Sequence, residues 1–358
     1  LSAASNKPST WNPTSKRCPF KGPMQANQEV LYKLARDYVA RKTRGVNDLV
    51  SVYLTGSVLH DEPLLGGTTD IDLVVVHKEH PAVEREVQRV SYEVSFDIQH
   101  HHQSFYAFHR RLRLNPWLGE ALCSHDSVLY DTGHWFDYIQ AGVSSQYMTP
   151  ENIYLRAQAF SDKARQEWFE LDDPQDIPFS AWVDLYFKVV YAAANAVAVI
   201  GGPALTTRRM LLDFPSRAEM LGQLNLVGDL NRLVSGGFSK AELFTQWRPV
   251  WEEALLEVNK HPHCPPNLSS PRKAYFLAAV DAIAESGSPH AAFWPMLESW
   301  RGAIQVLGGE GSYEAQWHQF LVELGIRPDS RAHCSTQLDA FIDAGEKVLT
   351  DWKARYGL

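Results

Sequence analysis

Three carboxylates and a glycine-serine pair stand out in this sequence as a potential reactive cluster. Gly56 and Ser57 end the stretch Leu54-Thr55-Gly56-Ser57, Asp70 and Asp72 lie in Asp70-Ile71-Asp72-Leu73, and Asp97 ends Ser95-Phe96-Asp97. On a strand, residues two apart share a face, so Asp70 and Asp72 present their oxygens together while Ile71 and Leu73 turn to a core. Such a pair is a hard-oxygen site of the kind Mg²⁺ occupies, keeping waters and completing its shell with phosphate oxygens. Asp97, on the polar face of a later strand, could bridge to a second ion or accept the proton of an attacking hydroxyl. Gly56 lets the backbone approach a phosphate, and Ser57 can offer both its N–H and its hydroxyl to that group. The plainer reading is a strand-ending turn capped by Asp70, with Asp72 on a solvated face.

The elements that must position these residues are legible around them. Val30, Leu31, Leu34, Ala35 and Val39 have helical spacing, so a helix is expected over residues 27–44. Leu49 to Thr55 is rich in β-branched residues and closed by Gly56, and the run Ile71 to Val76 is apolar but for Asp72; both read as strands. A short helix is expected from Pro81 to about Arg89, and a third strand from Val90 to Ile98, with Val90, Tyr92, Val94, Phe96 and Ile98 on one face. A fourth strand fits Ser127 to Tyr130, followed by a helix from about Trp135. Beyond Thr149-Pro150-Glu151 long helical patterns dominate, interrupted at Asp172-Asp173-Pro174, Gly201-Gly202-Pro203, Gly236-Gly237 and His261 to Pro266. The expected fold class is therefore α+β: a flexible leader over 1–26, a small mixed-sheet domain over 27–148, and an all-helical bundle domain over 149–358.

On these residues, Leu54-Thr55-Gly56-Ser57 with Asp70-Ile71-Asp72-Leu73 resembles the signature of the polymerase-β-like nucleotidyltransferase superfamily. Within it the chain is most similar to the antibiotic (aminoglycoside) nucleotidyltransferases. The resemblance rests on motifs over about residues 49–98 and on architecture elsewhere. It implies that Asp70, Asp72 and Asp97 bind Mg²⁺, with Asp97 as the third carboxylate, and that Gly56 and Ser57 hold the nucleotide phosphates, with Thr69 beside them. In Ala181-Trp182-Val183-Asp184-Leu185-Tyr186-Phe187-Lys188, Asp184 and Lys188 stand four apart on one helix face. By similarity to kanamycin-type enzymes, Asp184 would position or deprotonate the acceptor and Lys188 would face phosphate; the alternative is a surface ion pair. One departure is that Val58 to Thr69 contains no Lys or Arg, whereas related enzymes often place a cation there. Lys188, the cluster Arg110-Arg111-Arg113 and Arg208-Arg209 are the candidates to supply one, although arginines clustered on a helix also suit a solvated face.

Composition narrows the alternatives. The 358 residues suffice for two domains, and 45% apolar with 21% charged residues is ordinary for a globular chain. Eight of the eleven tryptophans lie beyond residue 150, which implies an aromatic core or a stacking pocket in the second half. A formal charge of −8 and the lack of a basic stripe argue against a stable nucleic-acid complex. Cys18, Cys123, Cys264 and Cys334 form no CxxC pair, so a reducing cytoplasm is expected. The uncharged run from Val189 to Thr207 is about membrane length, but Asn195 and Gly201-Gly202-Pro203 mark it as a buried bundle helix. His100-His101-His102, adjacent on a strand, must point to opposite faces and are not expected to converge on one ion. His261-Pro262-His263-Cys264 reads as a loop, and no P-loop, Rossmann or GxSxG motif occurs in a suitable place. The expectation is an enzyme that uses Mg²⁺ to move AMP from ATP onto a hydroxyl of a small acceptor. The rival expectations are a protein AMP-transferase and an antitoxin-like, non-catalytic nucleotide-binding module.

Overall fold

Asn27 starts the first helix by accepting the Val30 N–H at 2.9 Å, and α1 (Gln28–Lys42) then buries Leu31, Leu34, Ala35, Tyr38 and Val39 along one side. The computed structural model describes residues 27–172, 177–237, 241–308 and 312–358; the leader expected over 1–26 lies outside the described residues. The chain forms two compact units, one reaching to Tyr147 and including Pro265–Ala278, the other comprising Met148–Cys264 and Ala279–Leu358. The expected split into 27–148 and 149–358 is thus interrupted. Residues 265–278 group with the sheet, where Leu268 and Arg272 are buried.

The sheet has five strands in the order β3-β4-β2-β1-β5, with β1 (Leu49–Thr55), β2 (Thr69–His77), β3 (Arg85–Arg89), β4 (Val94–His102) and β5 (Val128–Asp131). Only β2 and β4 run parallel; every other neighbouring pair is antiparallel, so the sheet is mixed. Central strands covered on both faces need apolar residues at successive positions, which explains the unbroken run Leu73 to Val76. One face buries Val52, Leu54, Ile71, Leu73, Val75, Phe96 and Ile98 with the apolar side of α1. The other buries Tyr53, Val74 and Val76 with Leu112 of α2 (His109–Arg113) and Phe136, Ile139 and Val143 of α3 (Trp135–Tyr147).

Two expectations in this unit need correcting. The short helix expected between Pro81 and Arg89 is instead the edge strand β3, because pairing with β4 in the register Val87↔Asp97 outweighs the local preference of Arg-Glu-Val-Gln-Arg. The strand expected from Val90 begins only at Val94: Val90 and Ser91 both donate their N–H to the Val94 carbonyl, closing a hairpin turn in which Tyr92 is exposed.

The second unit is helical. Its members are α4 (Pro150–Asp172), α5 (Phe179–Ala198), α6 (Met210–Met220), α7 (Asn225–Ser235), α8 (Ala241–Val258), the later part of α9 (Lys273–Glu285), α10 (Phe293–Leu307), α11 (Tyr313–Glu323) and α12 (Arg331–Tyr356). Trp251, Trp294, Trp300 and Trp317 are fully buried, so the tryptophans of this half mainly build a core. Asn195 is tolerated in the apolar α5 because its side chain bridges Tyr191 and Leu205, accepting the Leu205 N–H at 2.7 Å. No helix among the described residues is long and apolar enough to cross a membrane.

Candidate functional site

Strand register brings the carboxylates together. In the parallel β2–β4 pair, Asp72 lies opposite Asp97 and Asp70 opposite Ser95, so all three acids stand on one face at the end of the sheet where β2 begins. Asp70 and Asp97 are each only 2% exposed. Ser95 Oγ donates to Asp70 Oδ1. Burial first, and then the neighbouring charges of Asp97 and Asp70, raise the Asp72 carboxyl well above its ordinary value, while Arg272 and Arg85 pull it back.

The glycine-serine turn abuts this cluster. β1 pairs with β2 so that Thr55 faces Asp72, and Gly56 follows with φ +71°, a left-handed conformation that L side chains resist. A Cβ at Gly56 would stand 2.1 Å from Asp72 Oδ2, so the position needs glycine for space as well as for conformation. Gly56–Leu59 forms a single 3₁₀ turn, in which the half-buried Ser57 places its Oγ 3.1 Å from Thr69 Oγ1; Thr69 in turn donates to the Asp70 carbonyl. Gly56, Ser57, Thr69, Asp70, Asp72 and Asp97 are therefore one constellation.

Asp184 and Lys188 belong to the helical unit. Asp184 accepts from Arg301 Nη1 at 3.2 Å and from Gln305 Nε2 at 3.3 Å, and Lys188 is exposed on the same helix. Of the expected arginine cluster, Arg110 and Arg111 are exposed, whereas Arg113 donates to the Gly142 carbonyl at 3.0 and 2.7 Å and so braces α3. The three adjacent histidines diverge as strand geometry requires: His100 bonds His77 at 2.9 Å, His101 bonds the Tyr106 hydroxyl at 2.8 Å, and His102 bonds Ser104 Oγ at 2.7 Å.

Two arginines that sequence reasoning did not single out complete the site. Arg85 on β3 reaches diagonally across to Asp97, donating from Nε to Oδ1 at 2.7 Å and from Nη2 to Oδ2 at 2.5 Å. Arg272 ends a pair of short 3₁₀ turns, Pro266–Leu268 and Ser270–Arg272, and its guanidinium lies between two of the acids. Nη2 meets Asp70 Oδ2 at 2.5 Å and Nη1 meets Asp97 Oδ2 at 2.6 Å. Burial works against the Arg272 charge, yet Asp70, Tyr275, Asp97 and Asp72 together hold its pKa above the ordinary arginine value. Arg85 was hidden by the helix expected at 81–89; an alternating reading of Arg85, Val87 and Arg89 would have placed it on the face of Asp97. Arg272 had no local signal, since it sits 175 residues from Asp97 among prolines.

Carboxylates on neighbouring strands form a donor set that suits a hard divalent cation in kind. In this conformation the oxygens of Asp70 and Asp97 turn to guanidinium groups, and among the described residues no three acidic, histidine or cysteine side chains stand ready arranged around an ion. The positive charge that the acids require is supplied by Arg272 and Arg85. No protein-family model matches the chain, and no curated protein matches it.

Proposed function

We propose that this chain is a Mg²⁺-dependent nucleotidyltransferase of the polymerase-β-like type, which moves AMP from ATP onto a hydroxyl of a small, aminoglycoside-like acceptor. The observation that carries the reading is the meeting of Asp70, Asp72 and Asp97 on one face of the parallel β2–β4 pair, with the Gly56 turn against Asp72.

In the proposed reaction the acceptor oxygen bonds to the α-phosphorus, the bond to the β-bridging oxygen breaks, and pyrophosphate leaves. The proton of the acceptor hydroxyl passes to the Asp97 carboxylate. A divalent cation held by Asp70, Asp72 and Asp97 would supply charge neutralisation on the phosphates. The Gly56 turn and the hydroxyls of Ser57 and Thr69, 3.1 Å apart, are proposed to hold a phosphate. Rate gain in this scheme comes from positioning and electrostatics rather than from a covalent intermediate.

Pyrophosphate release from ATP and Mg²⁺, screened against aminoglycosides, lincosamides and other polyols, tests the reading. Release is expected with at least one acceptor, and Asp70→Asn is expected to lower it by about 100-fold or more. Unchanged release by Asp70→Asn would refute the mechanism. One observation favours a second reading, a non-catalytic nucleotide-binding module: Asp70 and Asp97 already have a buried cationic partner in Arg272. Calorimetry that detects nucleotide binding without turnover on any acceptor would select it.

A further inference from the structure

Arg272 and a divalent cation make claims on the same atoms. Its two terminal nitrogens engage Asp70 Oδ2 and Asp97 Oδ2, and an ion bound by those carboxylates needs the space in which the guanidinium lies. Both cannot stay. Three further features describe the position in which Arg272 is held. It is 7% exposed, and its Nε is buried without a hydrogen-bond partner. Its guanidinium stacks over the Tyr275 ring at 4.4 Å, with the Phe276 ring at 5.9 Å. Its backbone belongs to a short proline-containing turn whose Ser270 carbonyl is bonded by Arg89.

We propose that Arg272 is the resident counter-ion of the carboxylate site, and that a divalent cation displaces its guanidinium, which then serves as the cation for the phosphates of the ligand. The inference rests on the nucleotidyltransferase reading and deepens it, because Val58 to Thr69 offers no Lys or Arg for phosphate. Without the metal, the acids gathered by strand register need positive partners: Arg85 serves Asp97 alone, and Arg272 spans Asp70 and Asp97. With the metal in place the acids are satisfied. The freed guanidinium, anchored by its turn and supported by Tyr275, is left next to the charge that the ion brings in with the triphosphate. Its unused Nε donor fits a group whose hydrogen-bonding capacity is not exhausted where it rests.

The test measures two affinities of the full chain without turnover: Mn²⁺ alone, and inorganic tripolyphosphate at saturating Mn²⁺, both by calorimetry. Compared with the unsubstituted protein, Arg272→Gln is expected to bind Mn²⁺ at least about ten-fold more tightly and tripolyphosphate at least about ten-fold more weakly. Opposite shifts separate an exchanging cation from a merely structural arginine, whose loss would weaken both. Arg272→Lys keeps the charge but not the two-pronged reach, so it should shift Mn²⁺ in the same direction by a smaller factor; it decides the matter if Arg272→Gln does not fold by circular dichroism. Unshifted affinities, or Mn²⁺ binding that weakens, overturn the role of Arg272 and leave the transferase reading standing. Failure of the unsubstituted protein to bind Mn²⁺ and tripolyphosphate overturns both.

Discussion

Asp72 lies opposite Asp97, with Asp70 two residues before it, and burial together with these like charges raises its carboxyl well above the ordinary value. A carboxyl raised on folding contributes stability below the unfolded carboxylate range and loses it as pH rises through the folded value. At neutral pH, above the unfolded carboxylate range, the raised Asp72 carboxyl therefore costs the fold stability. Asp72→Asn is expected to stabilise the metal-free protein by about 0.5–2 kcal/mol while removing the proposed activity, the trade-off of a site kept for chemistry. Urea midpoints at neutral pH check this, and a lower midpoint for the variant would mean that Arg272 and Arg85 already compensate Asp72 in full. The acids themselves were legible in sequence because a two-residue period on a strand fixes their common face. Gly56 was legible as a turn, but its contact with Asp72 follows from the β1–β2 register.

At the scale of elements, β4 contributes to the site and to the core at once. Its Asp97 faces the acids, while His101, on the same face four residues later, bonds Tyr106, which in turn bonds Tyr53 of β1 at 2.7 Å. Burial, with a smaller effect from His100, lowers His101 to about 4. A histidine lowered on folding takes up its proton more readily when unfolded, so stability is present above the unfolded value of about 6.5 and is lost as pH falls from there toward the folded value. The protein is thus expected to lose stability on acidification between those two values, and His101→Gln is expected to flatten the slope. Denaturation midpoints at half-unit pH steps measure it; equal slopes for both proteins would assign the loss to other groups, His77 among them, whose pKa is also lowered by burial. The error at β3 belongs to this scale. Arg, Glu and Gln carry helical preference, but the segment lies beside β4, and an edge strand can be polar where a central one cannot.

For the whole molecule, the two units keep their stability in different materials. The sheet unit has strands covered on both faces, and the helical unit adds the fully buried Trp251, Trp294, Trp300 and Trp317 to its aliphatic core. Trp300 is fully buried and has the rings of Trp247 and Phe320 at 6.1 and 6.0 Å. Trp300→Ala is expected to cost about 3–5 kcal/mol, because partial relaxation cannot fill a cavity of indole size. A fall in the thermal midpoint reports it, and an unchanged midpoint would show that this core is not close-packed around Trp300.

The α+β class, the strands at Leu49–Thr55 and around Ile71–Val76, the helices at α1 and α3, and the three acids beside a glycine-serine turn are all readable from local residue patterns. Each of these is local: periodicity, turn chemistry and β-branched runs act over a few residues and need no distant partner. The tertiary structure alone decided which strands pair in parallel, that residues 85–89 are a strand, that residues 265–278 return to the sheet, and that Arg85 and Arg272 neutralise Asp97 and Asp70. These depend on contacts between residues far apart in the chain, where the energy comes from register and from charge brought together by folding, and no spacing along the sequence encodes them.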